Sequence, residues 1–129
     1  MPETTAPAVG QIGWMDLTVP DAERVRAFYE QVTGWTAAPV RMGDHNDYCM
    51  IPAGGDKPVA GVCHALGENQ STPPSWLIYI TAVDLDESVR RCAERGGKAR
   101  IAERRVAGMD RFCVIEDPAG ALAALYQPE

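Results

Sequence analysis

The sequence has few basic residues and no long apolar run. Its 129 residues include 12 Lys and Arg against 18 Asp and Glu, a net charge of −6. Binding to a nucleic-acid backbone needs a basic surface, so this class of function is excluded. The longest apolar runs, such as Ala121–Tyr126, are far too short to cross a bilayer, so no membrane partner is expected.

The sequence also lacks any C-x-x-C pair, which excludes zinc-finger and thioredoxin-like motifs. Its four cysteines are Cys49, Cys63, Cys92 and Cys113. The opening residues MPETTAPAVG show no secretory signal pattern. We therefore expect reduced thiols and a cytoplasmic protein. No nucleophile–base pair and no phosphate-binding glycine-rich loop stand out.

An internal repeat organises the chain. Asp21 and Asp84, which are 63 positions apart, each open a helical stretch, and Tyr48–Ile51 matches Phe112–Ile115 at an offset of 64. The repeat predicts a single domain over residues 1–129, with its modules at 12–64 and 76–127. Residues 1–11 read as a flexible arm, and the polar, Pro-Pro-containing segment 65–75 reads as a linker.

Each module reads as βαβββ, which predicts an α+β fold. In the first module, an apolar stripe at Val25, Phe28, Tyr29 and Val32 predicts a helix that begins after Asp21 and ends at Gly34. In the second, Asp84 and Glu87 predict a capping box. Short strands follow each helix, and Asp117-Pro118-Ala119-Gly120 predicts a tight turn before the last strand.

Two segments carry a resemblance to a known family. The string IGWMDLTVPD, followed by RAFYE and GW, and the later EDPAGALAALYQP resemble the opening and closing motifs of the vicinal oxygen chelate superfamily. That superfamily includes glyoxalase I, extradiol dioxygenases, fosfomycin-resistance enzymes and bleomycin-binding proteins. The resemblance implies two βαβββ modules whose curved sheets form an open cup, usually completed in a homodimer.

The resemblance also implies where a metal ion would be held. The family's ligand positions correspond here to Trp14, Ala60, Leu77 and Ala124. None of these side chains can coordinate a divalent cation, which needs nitrogen, oxygen or sulfur donors. The sequence therefore predicts no metal site and no cofactor.

Strand alternation predicts what lines the cup instead. It turns Trp14, Asp16, Leu77 and Tyr79 inwards together with two threonines. Aromatic and polar side chains on one face are typical of a wet binding pocket. The predicted ligand-binding residues are Trp14, Asp16, Tyr48, Met50, His64, Leu77, Tyr79 and Phe112. Trp14 either stacks on a flat guest or fills the former metal position.

Both histidines keep several interpretations. His64 lies at a predicted strand end and is favoured as a solvated residue. One alternative is that it contacts a ligand. Another is that it forms a weak metal site or a proton shuttle with Asp16. The segment Arg41–Asp47 is favoured as a solvated turn. Its alternatives are a lip over the cup and an arrangement of His45 with Asp44 and Asp47 that imitates a metal site. Trp35 and Trp76 are predicted to pack in the core.

Two classes of function follow from these residues. The favoured hypothesis is a metal-free, homodimeric binding protein that sequesters a small aromatic drug or natural product, either neutral or cationic, as in antibiotic self-resistance. The alternative is a glyoxalase-like isomerase, lyase or dioxygenase with a non-standard active site around His64, Asp16 and Tyr79. An accessory protein without a ligand is a third option.

Overall fold

A computed structural model describes residues 8–65, 73–105 and 111–128. Most of the predicted arm and linker lies outside these residues. The elements in chain order are β1 (Ile12–Val19), α1 (Ala22–Thr33), β2 (Thr36–Met42), β3 (His45–Ile51), β4 (Ala60–His64), β5 (Trp76–Thr81), α2 (Leu85–Glu94), β6 (Lys98–Arg105), β7 (Arg111–Glu116) and β8 (Leu122–Gln127).

The described residues form two compact units. One, the first unit, runs from Trp14 to Trp76; the other, the second unit, joins the residues up to Gly13 to those from Leu77 onward. In the first unit the strand order is β2-β3-β4-β1, and β1 and β4 are parallel. The second unit repeats this order as β6-β7-β8-β5, with β5 and β8 parallel. The predicted α+β fold with its repeated βαβββ pattern is confirmed.

Aspartates begin both helices, as the sequence predicts. The Asp21 side chain accepts a hydrogen bond from the backbone N–H of Arg24 at 3.1 Å, and Asp84 accepts one from Glu87 at the same distance. These bonds satisfy N–H groups that have no partner inside a helix. The Glu87 carboxylate itself accepts from Arg91 at 2.9 Å. Neither helix in the described part of the chain is long and apolar enough to cross a membrane.

The predicted stripe on α1 is only half correct. Val25 and Tyr29 pack against the core, but Phe28 is 56% exposed and Val32 is 63% exposed. The stripe is wider than the surface that the sheet offers, so its outer residues stay in solvent. The core itself lies between α1 and the sheet and consists of Leu17, Val19, Ala22, Tyr48, Met50 and Val62.

Two tryptophans border this core. The indole N–H of Trp76 donates to the Tyr29 hydroxyl at 3.1 Å, and the ring of Trp35 lies 6.1 Å from that of Trp76. A buried indole N–H needs such a partner. The structure thus places both tryptophans in packing positions.

The segment Arg41–Asp47 is not the solvated loop that the sequence favours. β2 continues to Met42 and β3 starts at His45, so only Gly43 and Asp44 form the turn. Gly43 has a φ of +76°, a conformation that suits glycine in a two-residue hairpin. His45 and Asp47 therefore lie on a strand, where they share one face.

Replacement of Gly97 by alanine is expected to destabilise the second unit. A Cβ at Gly97 would lie 2.6 Å from the Glu116 carbonyl oxygen and 2.7 Å from the Cys92 Sγ. We expect a loss of about 1–3 kcal/mol in unfolding free energy, because the backbone must move. Gly55→Ala is the matched control, since its Cβ would approach nothing closer than 3.4 Å. Equal urea midpoints for the two variants would contradict the packing described.

Candidate functional site

The face of the first unit's strands that is turned away from α1 carries two carboxyl groups, two thiols and an imidazole. Tyr48 defines the opposite, helix-facing side, because its hydroxyl donates to Glu23 at 3.2 Å and its ring lies 5.2 Å from the Arg26 guanidinium. Residues next to Tyr48, Leu17 and Val62 along each strand point the other way. We call this side the first open face; its residues are Trp14, Asp16, Thr18, His45, Asp47, Cys49, Gly61 and Cys63.

Tyr48 and Met50 are therefore wrongly predicted as pocket residues. Both are in the helix-side core, where Met50 has no exposed surface. The error comes from the repeat offset of 64. Cys49 pairs with Gly61 in the first unit, and Val114 pairs with Ala124 in the second, so these strands correspond at an offset of 65. A shift of one residue turns every side chain to the other face.

The second unit has an aromatic open face. Gln127 and Arg111 face α2, since Gln127 accepts from the Leu85 backbone N–H at 2.8 Å and Arg111 pairs with Asp86 at 2.7 Å. Their strand neighbours point away from the helix. This second open face consists of Leu77, Tyr79, Thr81, Phe112, Val114, Ala124 and Tyr126.

Three rings cluster on the second open face. Tyr79 lies 6.0 Å from Phe112 and 6.4 Å from Tyr126, centroid to centroid. Tyr79 is buried, whereas the other two rings are partly exposed. Thr81 pairs with Tyr126, and its buried Oγ1 has no hydrogen-bond partner among the described residues. A buried hydroxyl without a partner is unfavourable, so the face carries a polar group suited to a ligand.

The positions implied by the resemblance cannot hold a divalent metal ion. The implied ligand position on β4 is Gly61 and not, as the sequence predicted, Ala60. Ala60 is buried on the helix side, whereas Gly61 pairs with Asp16 on the open face. A Cβ at Gly61 would lie 3.4 Å from the Trp14 indole. Trp14 thus covers Gly61. In the second unit, Leu77 and Ala124 are buried hydrocarbon side chains, so neither unit offers the expected donors.

Both histidines of the chain meet at one carboxylate in the first unit. The Asp47 Oδ1 lies 3.6 Å from the His45 Nε2 and 3.5 Å from the His64 Nδ1. It also accepts the His64 backbone N–H at 2.9 Å. His64 therefore pairs with Asp47, a residue that the sequence did not select as its partner. All three side chains are partly buried.

The Cys63 thiol interacts with the Asp47 carboxylate of this cluster. Burial, followed by the charges of Asp16 and Asp47, raises the pKa of Cys63 far above its usual range. Burial also raises the pKa of Cys49. A nucleophilic cysteine needs a lowered pKa, and the pKa of both thiols is shifted in the opposite direction. None of the four cysteines forms a disulfide in the part of the chain described.

Sequence reasoning considered His45 together with Asp44 and Asp47 but favoured a solvated turn, and it did not connect His64 to this group. The available signal was the H-x-D spacing directly after Gly43-Asp44, a two-residue turn pattern. A strand that starts at His45 brings these alternate side chains to one face. The approach of His64 depends on pairing between β3 and β4, which no local pattern encodes.

Comparison with known proteins identifies the family of this chain. Residues 11–125 match the model of the Glyoxalase/Bleomycin resistance protein/Dioxygenase superfamily. Among curated proteins, the chain is 28% identical to the anthracycline biosynthesis protein DnrV of Streptomyces peucetius, covering 93% of this chain and 48% of that protein. It is 27% identical to the putative glyoxylase CFP32 of Mycobacterium bovis, covering 92% of this chain and 44% of that protein. The chain thus spans about half the length of these relatives.

Solved structures show the same fold. Methylmalonyl-CoA epimerase from Mycobacterium tuberculosis superimposes with a TM-score of 0.62 at 18% identity, covering 98% of this chain and 93% of that chain. A superfamily member from Vibrio splendidus superimposes with a TM-score of 0.57 at 14% identity, covering 88% of this chain and 96% of that chain.

Proposed function

Because the chain belongs to the Glyoxalase/Bleomycin resistance protein/Dioxygenase superfamily, we propose that it binds a small, flat aromatic compound and sequesters it. The observation that carries this proposal is the ring cluster Tyr79–Phe112–Tyr126 on the second open face. Partly exposed aromatic faces bind planar guests by offset or edge-to-face stacking. The Thr81 hydroxyl, which has no hydrogen-bond partner among the described residues, supplies a polar contact beside them.

No metal at the family's usual positions takes part in this binding. The residues there are Trp14, Gly61, Leu77 and Ala124, which offer no ligand to a cation. Recognition by stacking and hydrogen bonding needs none. Trp14, which covers Gly61, contributes an aromatic surface on the first open face.

The ligand class is supported by charge and by relatives. The relatives DnrV and DauV are both named as anthracycline biosynthesis proteins, and anthracyclines are polycyclic aromatic compounds. The net charge of −6 favours a cationic guest. We further propose that the protein is a cytoplasmic homodimer. Its role would be self-resistance to the compound that it binds.

The test is equilibrium dialysis with three planar aromatic cations: daunorubicin, ethidium and acridine orange. We expect saturable binding of at least one of them. Phe112→Ala should weaken it about tenfold, a loss of roughly 1.4 kcal/mol. The chain offers a matched control, because its other phenylalanine, Phe28, is exposed on α1. Phe28→Ala should leave the affinity unchanged.

Two results would contradict the proposal. One is the absence of saturable binding for all three compounds. The other is equal affinity of the Phe112→Ala variant and the wild type, which would remove the ring cluster from the site. Trp14→Ala tests the first open face in the same assay, with circular dichroism confirming that the domain stays folded.

A second candidate function is supported by the His45–Asp47–His64 cluster. General acid–base catalysis uses imidazole and carboxylate groups that lie close together. An isomerase, lyase or dioxygenase of the glyoxalase type would then use this cluster with Asp16 of the same unit. His64→Gln would abolish turnover of its substrate while leaving affinity for the compounds above intact.

A further inference from the structure

The three ligand atoms of His45, Asp47 and His64 are spaced as ligands of one ion. They all lie within 4.8 Å of one another, and the two nitrogens are 3.6 and 3.5 Å from the Asp47 Oδ1. Hydrogen bonds between nitrogen and oxygen span about 2.7–3.2 Å, so these separations are too long for a histidine–aspartate–histidine hydrogen-bond chain. Two ligands in tetrahedral geometry around Zn²⁺ are about 3.4 Å apart, close to the separations found here.

The surroundings of His45 prepare one nitrogen for a metal. Its Nδ1 lies 3.2 Å from the Asp44 Oδ1, within hydrogen-bond distance. A proton held on Nδ1 by this carboxylate leaves Nε2, the nitrogen that faces Asp47, as an acceptor. Metal-binding histidines are oriented by an outer carboxylate in this same way.

His64 supplies the second nitrogen. Its Nδ1 is buried and has no hydrogen-bond partner among the residues that the structure describes. A buried nitrogen in this state is unfavourable unless another group satisfies it. Its backbone N–H donates to the Asp47 Oδ1 and so holds the carboxylate beside the ring. The centroids of the two imidazole rings are 5.2 Å apart and the ring planes meet at 73°. One nitrogen of each ring lies within 3.6 Å of the Asp47 Oδ1.

We propose that His45, Asp47 and His64 bind one divalent transition-metal ion, of the Zn²⁺ class, in the first unit. Two neutral imidazoles and one carboxylate form a donor set that suits Zn²⁺, Co²⁺ and Ni²⁺ better than the harder Ca²⁺ or Mg²⁺. Three protein ligands leave a fourth position for water or another small ligand. The proposed site differs from the metal positions that the resemblance implies, which Trp14 and Gly61 occupy in this unit. It also does not depend on the aromatic ligand proposed above.

The test uses metal alone on the full chain, purified without a histidine tag and dialysed against EDTA. Isothermal titration with ZnCl₂ is expected to show one site per chain. Titration with CoCl₂ is expected to give the intense visible absorption of four-coordinate Co²⁺. His45→Gln and His64→Gln should each lower the Zn²⁺ affinity at least tenfold. Asp44→Asn should lower it about tenfold or more, since it removes the outer carboxylate.

Matched controls separate this site from other donors. Asp56→Asn changes an exposed carboxylate in the β3–β4 connection and should leave the affinity unchanged. Cys49→Ser tests whether a neighbouring thiol contributes, and unchanged affinity is expected. Zn²⁺ binding that survives in both histidine variants, or no binding to the wild type, would overturn the proposal.

A measurement on the wild type covers the case in which a variant does not fold. The chain contains only two histidines, so their imidazole ¹⁵N resonances are simple to follow by NMR. Both sets are expected to shift on addition of one equivalent of Zn²⁺. Two unchanged sets would also overturn the proposal.

Discussion

Met50→Ala is expected to lower the free energy of unfolding by about 2–5 kcal/mol. Met50 has no exposed surface and packs in the helix-side core of the first unit with Leu17, Tyr48 and Val62. Removal of its side chain leaves a cavity that the surrounding residues fill only in part. Urea denaturation followed by circular dichroism measures this loss.

Met42→Ala is the matched control for this result. Met42 belongs to the same unit but is 40% exposed at the end of β2, so its truncation should cost less than about 1 kcal/mol. In conditions where Met50→Ala remains folded, it should bind the planar cations with wild-type affinity, because Met50 is not on an open face. Similar losses of stability in both variants would contradict the assignment of Met50 to the core.

Ala124→Glu is expected to lower the free energy of unfolding by about 3–5 kcal/mol. Ala124 occupies one of the positions where the family resemblance implies a metal ligand, and it is fully buried on the second open face. A glutamate there places a carboxylate among hydrocarbon groups such as Leu77 and Val114, where a buried charge is unfavourable. A buried, tightly packed alanine thus occupies a position where the family resemblance implies a metal ligand.

Two variants separate charge from size in this result. Ala124→Gln adds nearly the same volume without the charge, so the difference between the two variants reports the buried charge. Ala119→Glu adds the same carboxylate in the exposed Asp117–Gly120 turn and should change stability by about 0.5 kcal/mol or less. If Ala124→Glu proved as stable as Ala119→Glu, the position would be open enough to accept a metal ligand.

Local patterns predict the helices and turns of this protein well. Asp21 and Asp84 cap their helices, and the Asp117 side chain accepts from the backbone N–H groups of Ala119 and Ala121 at 2.8 and 3.0 Å, as a tight turn requires. These features depend on side chains only a few residues apart. The sequence therefore contains all the information needed to find them.

The side of the sheet on which a strand residue lies is harder to predict, because it depends on strand register. Tyr48 and Met50 match Phe112 and Val114 by residue type at an offset of 64, but strand pairing aligns Cys49 with Val114 at 65. Residue similarity tolerates a shift of one position, whereas a sheet face does not. The prediction therefore found the correct strand and the wrong side of it.

The sequence by itself determined the family, the α+β fold, the start of each helix and the lack of donors at the metal positions that the resemblance implies. Each of these depends on residue identity and short spacing. Only the tertiary structure decided which side chains of β3 are buried, and only it brought His45 and Asp47 to His64, 17 residues beyond Asp47. Hydrogen bonds between β3 and β4 hold these residues together. The two strands are joined by a loop, and local sequence patterns do not show which residues pair across it.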